Sequence, residues 1–247
     1  PLLARVERGV LQEQRFVSEA SHERRTPVTV ILGYSDLLAR WGSSDAKILE
    51  EGISSIRSEA EDMQDLIEKL LFLARADQKR QVLHKENVHL DELVDDAVRK
   101  MKLVAKQHTL RLEANEPGII YADPATMRQM MRIFLENAVK YTPEGGHITV
   151  ASRRLPEKEA MQLTFSDDGI GIAEEDQGKI FERFYRADSS RTKKAGSVGG
   201  TGLGLSIASW IAEQHDIDIA VESEFDKGTK FILTIPLSND GESHSDA

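Results

Sequence analysis

Two long runs of helical periodicity, separated by one break, constrain this chain more than any other feature. Within residues 2–40, Leu3, Val6, Val10, Val17, Ala20, Ile31, Tyr34 and Leu38 fall on one heptad seam, interrupted at Glu13 and Arg24. Trp41-Gly42-Ser43-Ser44-Asp45 then supplies a glycine stop and an Asx/Ser start. A second helix is predicted to about Asp77, with Leu49, Ile53, Ile56, Ala60, Met63, Ile67, Leu70 and Ala74 on one face, widened by Leu66, Leu71 and Leu73. Two helices joined by so short a loop form an antiparallel hairpin. A single hairpin cannot enclose its own apolar stripe, so a second copy is expected, giving a dimeric four-helix bundle.

The pattern changes after residue 77. Residues 78–89, "QKRQVLHKENVH", are polar and read as a linker, with Val88 and Leu90 able to begin a short strand. Asp91 is the expected N-cap of a helix to about Gln107. "LRLEA" (110–114) and "GIIYA" (118–122) alternate as strands do. Asp123-Pro124 is an N-cap followed by proline at the first helical position, opening a helix to about Tyr141. "HITVASRRL" (147–155) and "AMQLTFSD" (160–167) read as a hairpin. A helix from about Gly202 to Gln214 precedes two closing strands around Asp226-Lys227-Gly228. The expected class is therefore a helical hairpin followed by an α/β sandwich with helices covering one sheet. The expected domains are 1–77 and 90–238, with the linker between them and a polar tail at 239–247.

Composition serves mainly to exclude. A net charge of −10 argues against general nucleic-acid binding, because a polyanion would be repelled. The absence of cysteine removes disulfides, thiolate catalysis and cysteine-ligated zinc. No apolar run reaches the length of a membrane span. The chain starts at Pro1 inside a helical pattern, so we read it as a cytoplasmic piece of something longer, whose other parts could include membrane segments.

Several short stretches carry chemistry. In "SHERRTP" (21–27), His22 takes the most exposed heptad position, and Glu23 can accept a hydrogen bond from one imidazole nitrogen. The other nitrogen is then left as a nucleophile. Pro27 removes the helical bond to the Glu23 carbonyl and bends the helix one turn beyond His22. The remaining histidines form no metal-ligand spacing and read as structural or surface residues. Asn137, Lys140 and Tyr141 in "ENAVKYT" share a helical face, where an amide oxygen suits Mg²⁺ and an ammonium suits phosphate. In "DDGIGI" (167–172), Asp167 ends a strand, and Gly169 and Gly171 make a turn that a ligand can approach closely. Between residues 183 and 194, Arg183, Arg186, Arg191, Lys193 and Lys194 concentrate positive charge. Glycines 196, 199, 200, 202 and 204 follow, in a run that can point backbone N–H groups at phosphate. No GK[ST] follows, which excludes a Walker A loop, and the spacing is wrong for a dinucleotide fingerprint.

The order of these stretches, "SHERRTP", "ENAVKYTP", "DDGIGI", "FERFYR", "GGTGLGL" and "GTKFILTIP", resembles the catalytic core of a sensor histidine kinase of a two-component system. The likeness covers nearly the whole chain: a HisKA-type dimerisation and phosphoacceptor hairpin, then a Bergerat-fold ATP-binding domain. It implies a homodimer that uses ATP and Mg²⁺ to phosphorylate itself on His22, then passes the phosphoryl group to an aspartate of a response regulator receiver domain. It also implies roles for individual residues. Glu23 would be the acid/base partner, and Thr26 would position water for dephosphorylating the regulator. Asn137 would bind Mg²⁺, while Lys140 and Tyr141 would lie along the phosphates and ribose. Asp167 would read the adenine amino group with Thr229 nearby. Gly169, Gly171, Gly200, Gly202, Leu203 and Gly204 would shape the pocket, Arg186 would reach the γ-phosphate, and Phe181 and Phe184 would anchor a lid. Two positions depart from the family. Arg24 stands where leucine is common, and Ile133 stands where many members have a second asparagine. Two rival readings share the glycine boxes: a related ATPase or serine kinase, and a nucleotide-binding scaffold without transfer activity.

Overall fold

The computed structural model describes residues 26–42, 45–187 and 200–238. Its contacts divide into two units, Pro1–Gln78 and Lys79–Ala247. In the first, helix α1 covers 26–41 and α2 covers Ala46–Asp77. Gly42 closes α1, its N–H bonding the Leu38 carbonyl at 2.9 Å. Asp45 caps α2, its carboxylate accepting from the N–H groups of Lys47 (2.9 Å) and Ile48 (3.3 Å). The helices meet where Leu38 covers Gly52; a Cβ at 52 would stand 2.7 Å from Leu38 Cδ2. Buried positions of α2 are Gly52, Leu66, Leu73 and Ala76. Three residues of the predicted seam, Leu49, Ile53 and Ile67, face solvent at 42%, 54% and 45% exposure. The apolar arc of α2 is thus wider than one neighbouring helix covers.

The second unit is built on a five-stranded sheet. Its elements are β1 (Glu86–His89), α3 (Leu90–Val104), β2 (Thr109–Asn115), β3 (Ile119–Ala122), α4 (Pro124–Tyr141) and β4 (His147–Leu155). After a 3₁₀ turn come β5 (Ala160–Asp167), the short α5 (Glu174–Gln177), α6 (Gly204–Gln214), β6 (Asp218–Glu224) and β7 (Gly228–Pro236). Strand order is β2-β4-β5-β7-β6, with β1 and β3 forming a separate antiparallel pair. Among the described residues, only the β2–β4 pairing is parallel.

Strand periodicity decides which face is covered. Ile148 and Val150, Met161, Leu163 and Phe165, and Phe231, Leu233 and Ile235 are buried, whereas Thr149, Gln162, Thr164, Lys230 and Thr234 on the other face are only partly covered. Helices α3, α4 and α6 pack together on the apolar side, with α4 in contact with both others and with β5. Its central place explains why Met127, Met130, Met131, Ile133, Phe134, Leu135 and Ala138 are all buried. Phe134 pins α4 to the sheet, its ring centroid 5.4 Å from Phe165 and 4.9 Å from Phe231. Each such ring pair adds about 0.5–1.5 kcal/mol beyond area burial.

Three local expectations are corrected. Asp91 does not cap α3, which begins at Leu90 with no side-chain cap from His89. The β1–β3 pairing carries the chain directly into the helix, and the Leu90 N–H bonds the Gly118 carbonyl at 2.9 Å. Asp91 lies in the first turn, its main-chain carbonyl accepting from the Asn115 amide at 2.9 Å. Helix α3 also ends at Val104, earlier than the expected Gln107. The last four residues of the expected linker, 86–89, form β1.

Candidate functional site

Four pieces of chain converge at one end of the second unit: the C-terminus of α4, the end of β5 with its following turn, the start of β7, and the glycine segment that enters α6. Asn137, Lys140 and Tyr141 project from the last turns of α4, with the Lys140 ammonium 5.0 Å from the centroid of the Tyr141 ring. The Ile170 N–H bonds the Tyr141 carbonyl at 3.1 Å and presses the turn after Asp167 onto that helix end. Gly169 is obligatory there, because any Cβ would collide with the Tyr141 carbonyl oxygen. Gly171 takes φ +65° against the Glu224 carbonyl, which also excludes a side chain.

Asp167 is the electrostatic centre of this region. Burial pushes its carboxyl up to about 6, and the neighbouring Asp168 charge adds to that, although the N–H groups of Gly169 (3.0 Å) and Thr229 bond it. Asp168 behaves oppositely. Burial works to raise it, but the His147 main-chain N–H at 2.7 Å and the imidazole Nδ1 at 2.9 Å outweigh that and hold it below the usual carboxylate range. Burial raises the Tyr141 hydroxyl above its ordinary value, opposed by the positive charge of Arg186, which places that guanidinium within electrostatic reach of the ring.

Asp167 and Thr229 are cross-strand partners, so their side chains share the helix-covered face of the sheet. The glycine segment approaches from the other side. A Cβ at Gly200 would collide with the Lys140 ammonium, and Gly202, at φ +66°, lies against the Phe184 backbone. The Phe184 N–H bonds the Gly202 carbonyl at 2.9 Å, while Phe181 and Phe184 are both half-buried. Leu203 is fully buried and anchors the segment, and Gly204 opens α6 beside the Ile133 side chain.

The structure thus gathers Lys140, Tyr141, Asp167, Gly169, Gly171, Arg186, Gly200, Gly202 and Thr229 around one region, with Asn137 one turn back on α4. Thr26 belongs to the first unit, exposed at the start of the described part of α1. His22, Glu23, Arg24, glycines 196 and 199, Arg191, Lys193 and Lys194 fall outside the described residues. Ile133 is 4% exposed and apolar, so it offers no oxygen to a metal. Among the described residues, no cluster of three His, Asp or Glu side chains is arranged to hold a metal ion.

Sequence reasoning missed Ser223 and Gln177. The Ser223 hydroxyl accepts from the Ile172 N–H (2.8 Å) and meets both the Gly228 carbonyl and the Thr229 hydroxyl at 2.9 Å. The Gln177 amide donates to the carbonyls of Ser223 (2.8 Å) and Ile172 (3.2 Å). A signal existed for Ser223: it is the polar member of the alternating set Ile219, Val221, Ser223 in β6.

Residues 122–239 match the family described as Histidine kinase-, DNA gyrase B-, and HSP90-like ATPase, and residues 12–79 match the His Kinase A (phospho-acceptor) domain. The chain is 37% identical over 230 residues to the sensor histidine kinase YkoH of Bacillus subtilis, covering 93% of this chain and 49% of that protein. It is 35% identical over 231 residues to the signal transduction histidine-protein kinase ArlS of Staphylococcus aureus, covering 93% and 50%. The chain therefore spans about half the length of the curated relatives it matches. Among solved structures, the Acinetobacter baumannii histidine kinase AdeS superposes with a TM-score of 0.65 at 20% identity, over 88% of this chain and 98% of that one. Full-length ShkA, solved in complex with AMPPNP, gives 0.65 at 24% identity, over 92% of this chain and 46% of that one. These two likenesses speak for the fold.

Proposed function

The chain belongs to the sensor histidine kinase family, and from that premise we propose that it binds Mg·ATP in its second unit and phosphorylates His22. The observation that carries this reading is Asp167: a half-buried carboxylate at a strand end, beside two glycines that admit no Cβ, in the same region as a glycine segment that runs into a helix N-terminus. A half-buried acceptor suits an exocyclic amine, and N–H groups at a helix start suit phosphate. Lys140 and Arg186 supply positive charge for the phosphates.

A magnesium ion, when bound, neutralises phosphate charge. Asn137 is the side chain here that would hold it, because Ile133 is buried hydrocarbon. One neutral oxygen is enough for an ion that keeps several waters and takes its other ligands from phosphate. In the transfer, the bond from the γ-phosphorus to the bridging oxygen breaks and a bond to an imidazole nitrogen of His22 forms. Glu23 bonds the other nitrogen, and Thr26 positions a water for the separate hydrolysis of the regulator's phosphoaspartate. Positioning and charge neutralisation supply most of the rate. The next acceptor is an aspartate of a response regulator receiver domain, and two copies pair through the helical hairpin.

The test is incubation of the chain with labelled ATP and Mg²⁺. Acid-labile, base-stable label is expected on the wild type and absent from His22→Gln. Normal labelling of His22→Gln sinks the phosphoacceptor assignment. Asp167→Asn is expected to lose nucleotide binding while remaining folded.

A further inference from the structure

The Ser223 hydroxyl has one proton and two lone pairs, and the fold uses all three. The Ile172 N–H takes one lone pair at 2.8 Å. The Gly228 carbonyl has no proton of its own, so at 2.9 Å it must receive the Ser223 proton. The remaining contact, 2.9 Å to the Thr229 hydroxyl, then has only one possible polarity: Thr229 donates and Ser223 accepts. With its proton committed to Ser223, the Thr229 oxygen has only lone pairs left for anything else. Thr229 stands directly across the ladder from Asp167, on the same face of the sheet, and Ser223 stands directly across from Thr229. Gln177 closes the arrangement by donating to the main-chain carbonyls of both Ser223 and Ile172, so the corner has little freedom to rotate.

We propose that Ser223 is a specificity-determining residue: by fixing the Thr229 hydroxyl as an acceptor, it makes the base end of the pocket a pair of acceptors, which selects 6-amino purines against 6-oxo purines. The proposal rests on the reading of Asp167 and Thr229 as the base-binding end of a nucleotide site. An adenine amino group brings two donors to two acceptors, directly or through one water. A hypoxanthine or guanine oxygen brings a third acceptor and leaves lone pairs opposed in a desolvated corner. Selection comes from the rejected base as much as from the favoured one. Ser223 acts through Thr229, so it is a positioning residue for recognition.

Replacing Ser223 by alanine releases the Thr229 proton, and that hydroxyl can then turn and donate to a 6-oxo group. The test is calorimetric titration of the purified chain with ADP and with IDP at pH 8, where Asp167 is ionised. The wild type is expected to prefer ADP by at least about tenfold, which corresponds to about 1.4 kcal/mol. Ser223→Ala is expected to lose most of that preference, and Ser223→Thr to keep it. A purely architectural role for Ser223 would weaken both nucleotides equally and leave the ratio unchanged, and that result overturns the proposal. A wild type that binds both nucleotides equally overturns it too while leaving the pocket intact. A wild type that binds neither overturns the pocket reading itself. If Ser223→Ala melts well below the wild type, Thr229→Val addresses the same hydroxyl: a fall in the ratio supports the proposal, and an unchanged ratio overturns it.

Discussion

Asp167 is poised at the boundary between two protonation states. Its carboxyl lies near 6 in the folded domain against an ordinary value of 3.8, because burial disfavours the charge more than two N–H donors favour it. The folded state therefore takes up a proton between about pH 6 and pH 4 that the unfolded chain does not, and this residue's contribution to stability rises as pH falls through that window. Nucleotide binding has the opposite sign, because an amine donor requires the ionised form. ADP affinity is expected to hold above pH 6 and to fall by up to about tenfold per pH unit below it. Titrations of the wild type at pH 8, 6 and 5 check this; a flat profile would show that the carboxylate does not meet the base. The glycines at 169 and 171 and the hydroxyl of Ser223 serve the same few atoms, and neither their crowding nor their hydrogen-bond polarity can be read from residue type alone.

Helix α4 links the candidate site to the far end of its domain. At its N-terminus the Asp123 carboxylate accepts from the N–H groups of Ala125 (3.0 Å) and Thr126 (2.9 Å), and its second oxygen accepts from the His84 N–H at 2.8 Å. Burial works to raise that carboxyl, but these donors outweigh it and hold it below the ordinary range. The Asp123 N–H in turn donates to Nε2 of the buried His215 at 3.0 Å, whose Nδ1 donates to the Ile211 carbonyl at 2.8 Å. One cap thus ties α4 to α6 and to the segment before β1. Asp123→Ala is expected to destabilise the domain by about 2 kcal/mol, the upper range for a lost cap, read from the urea midpoint. His215 must be neutral to accept, and burial lowers its titration below the ordinary 6.5. A lowered histidine gives stability that is complete above about pH 6.5 and lost as pH falls through the folded value. Urea midpoints at pH 7.5 and 5.5 should show that loss in the wild type, and a smaller one in His215→Gln.

At the scale of the whole molecule, the helical hairpin carries more apolar surface than it covers. Leu49, Ile53 and Ile67 lie on α2 with 42–54% of their surface open to solvent. An exposed apolar stripe of this length marks an association surface. Pairing of two hairpins would cover it and complete a four-helix bundle. The wild type is expected to sediment as a dimer, and the double variant Ile53→Asp, Ile67→Asp as a monomer at the same concentration. Equal sedimentation would place the contact elsewhere. No helix among the described residues is long and apolar enough to cross a membrane.

Local pattern alone is enough to place most elements. The hairpin 147–155 and 160–167 has the bounds its alternation predicts, and Asp45 and Asp123 cap the helices their positions suggest. These features depend on side-chain direction along one short segment, which repeats with the period of the secondary structure. Asp91 misled because pairing with β3, some thirty residues on, set the start of α3 instead. The charge state of Asp167, the polarity of Thr229 and the tautomer of His215 depend on atoms that adjoin only after the sheet closes. Each is a balance of desolvation against hydrogen bonds from distant strands and helices, so it exists only in three dimensions.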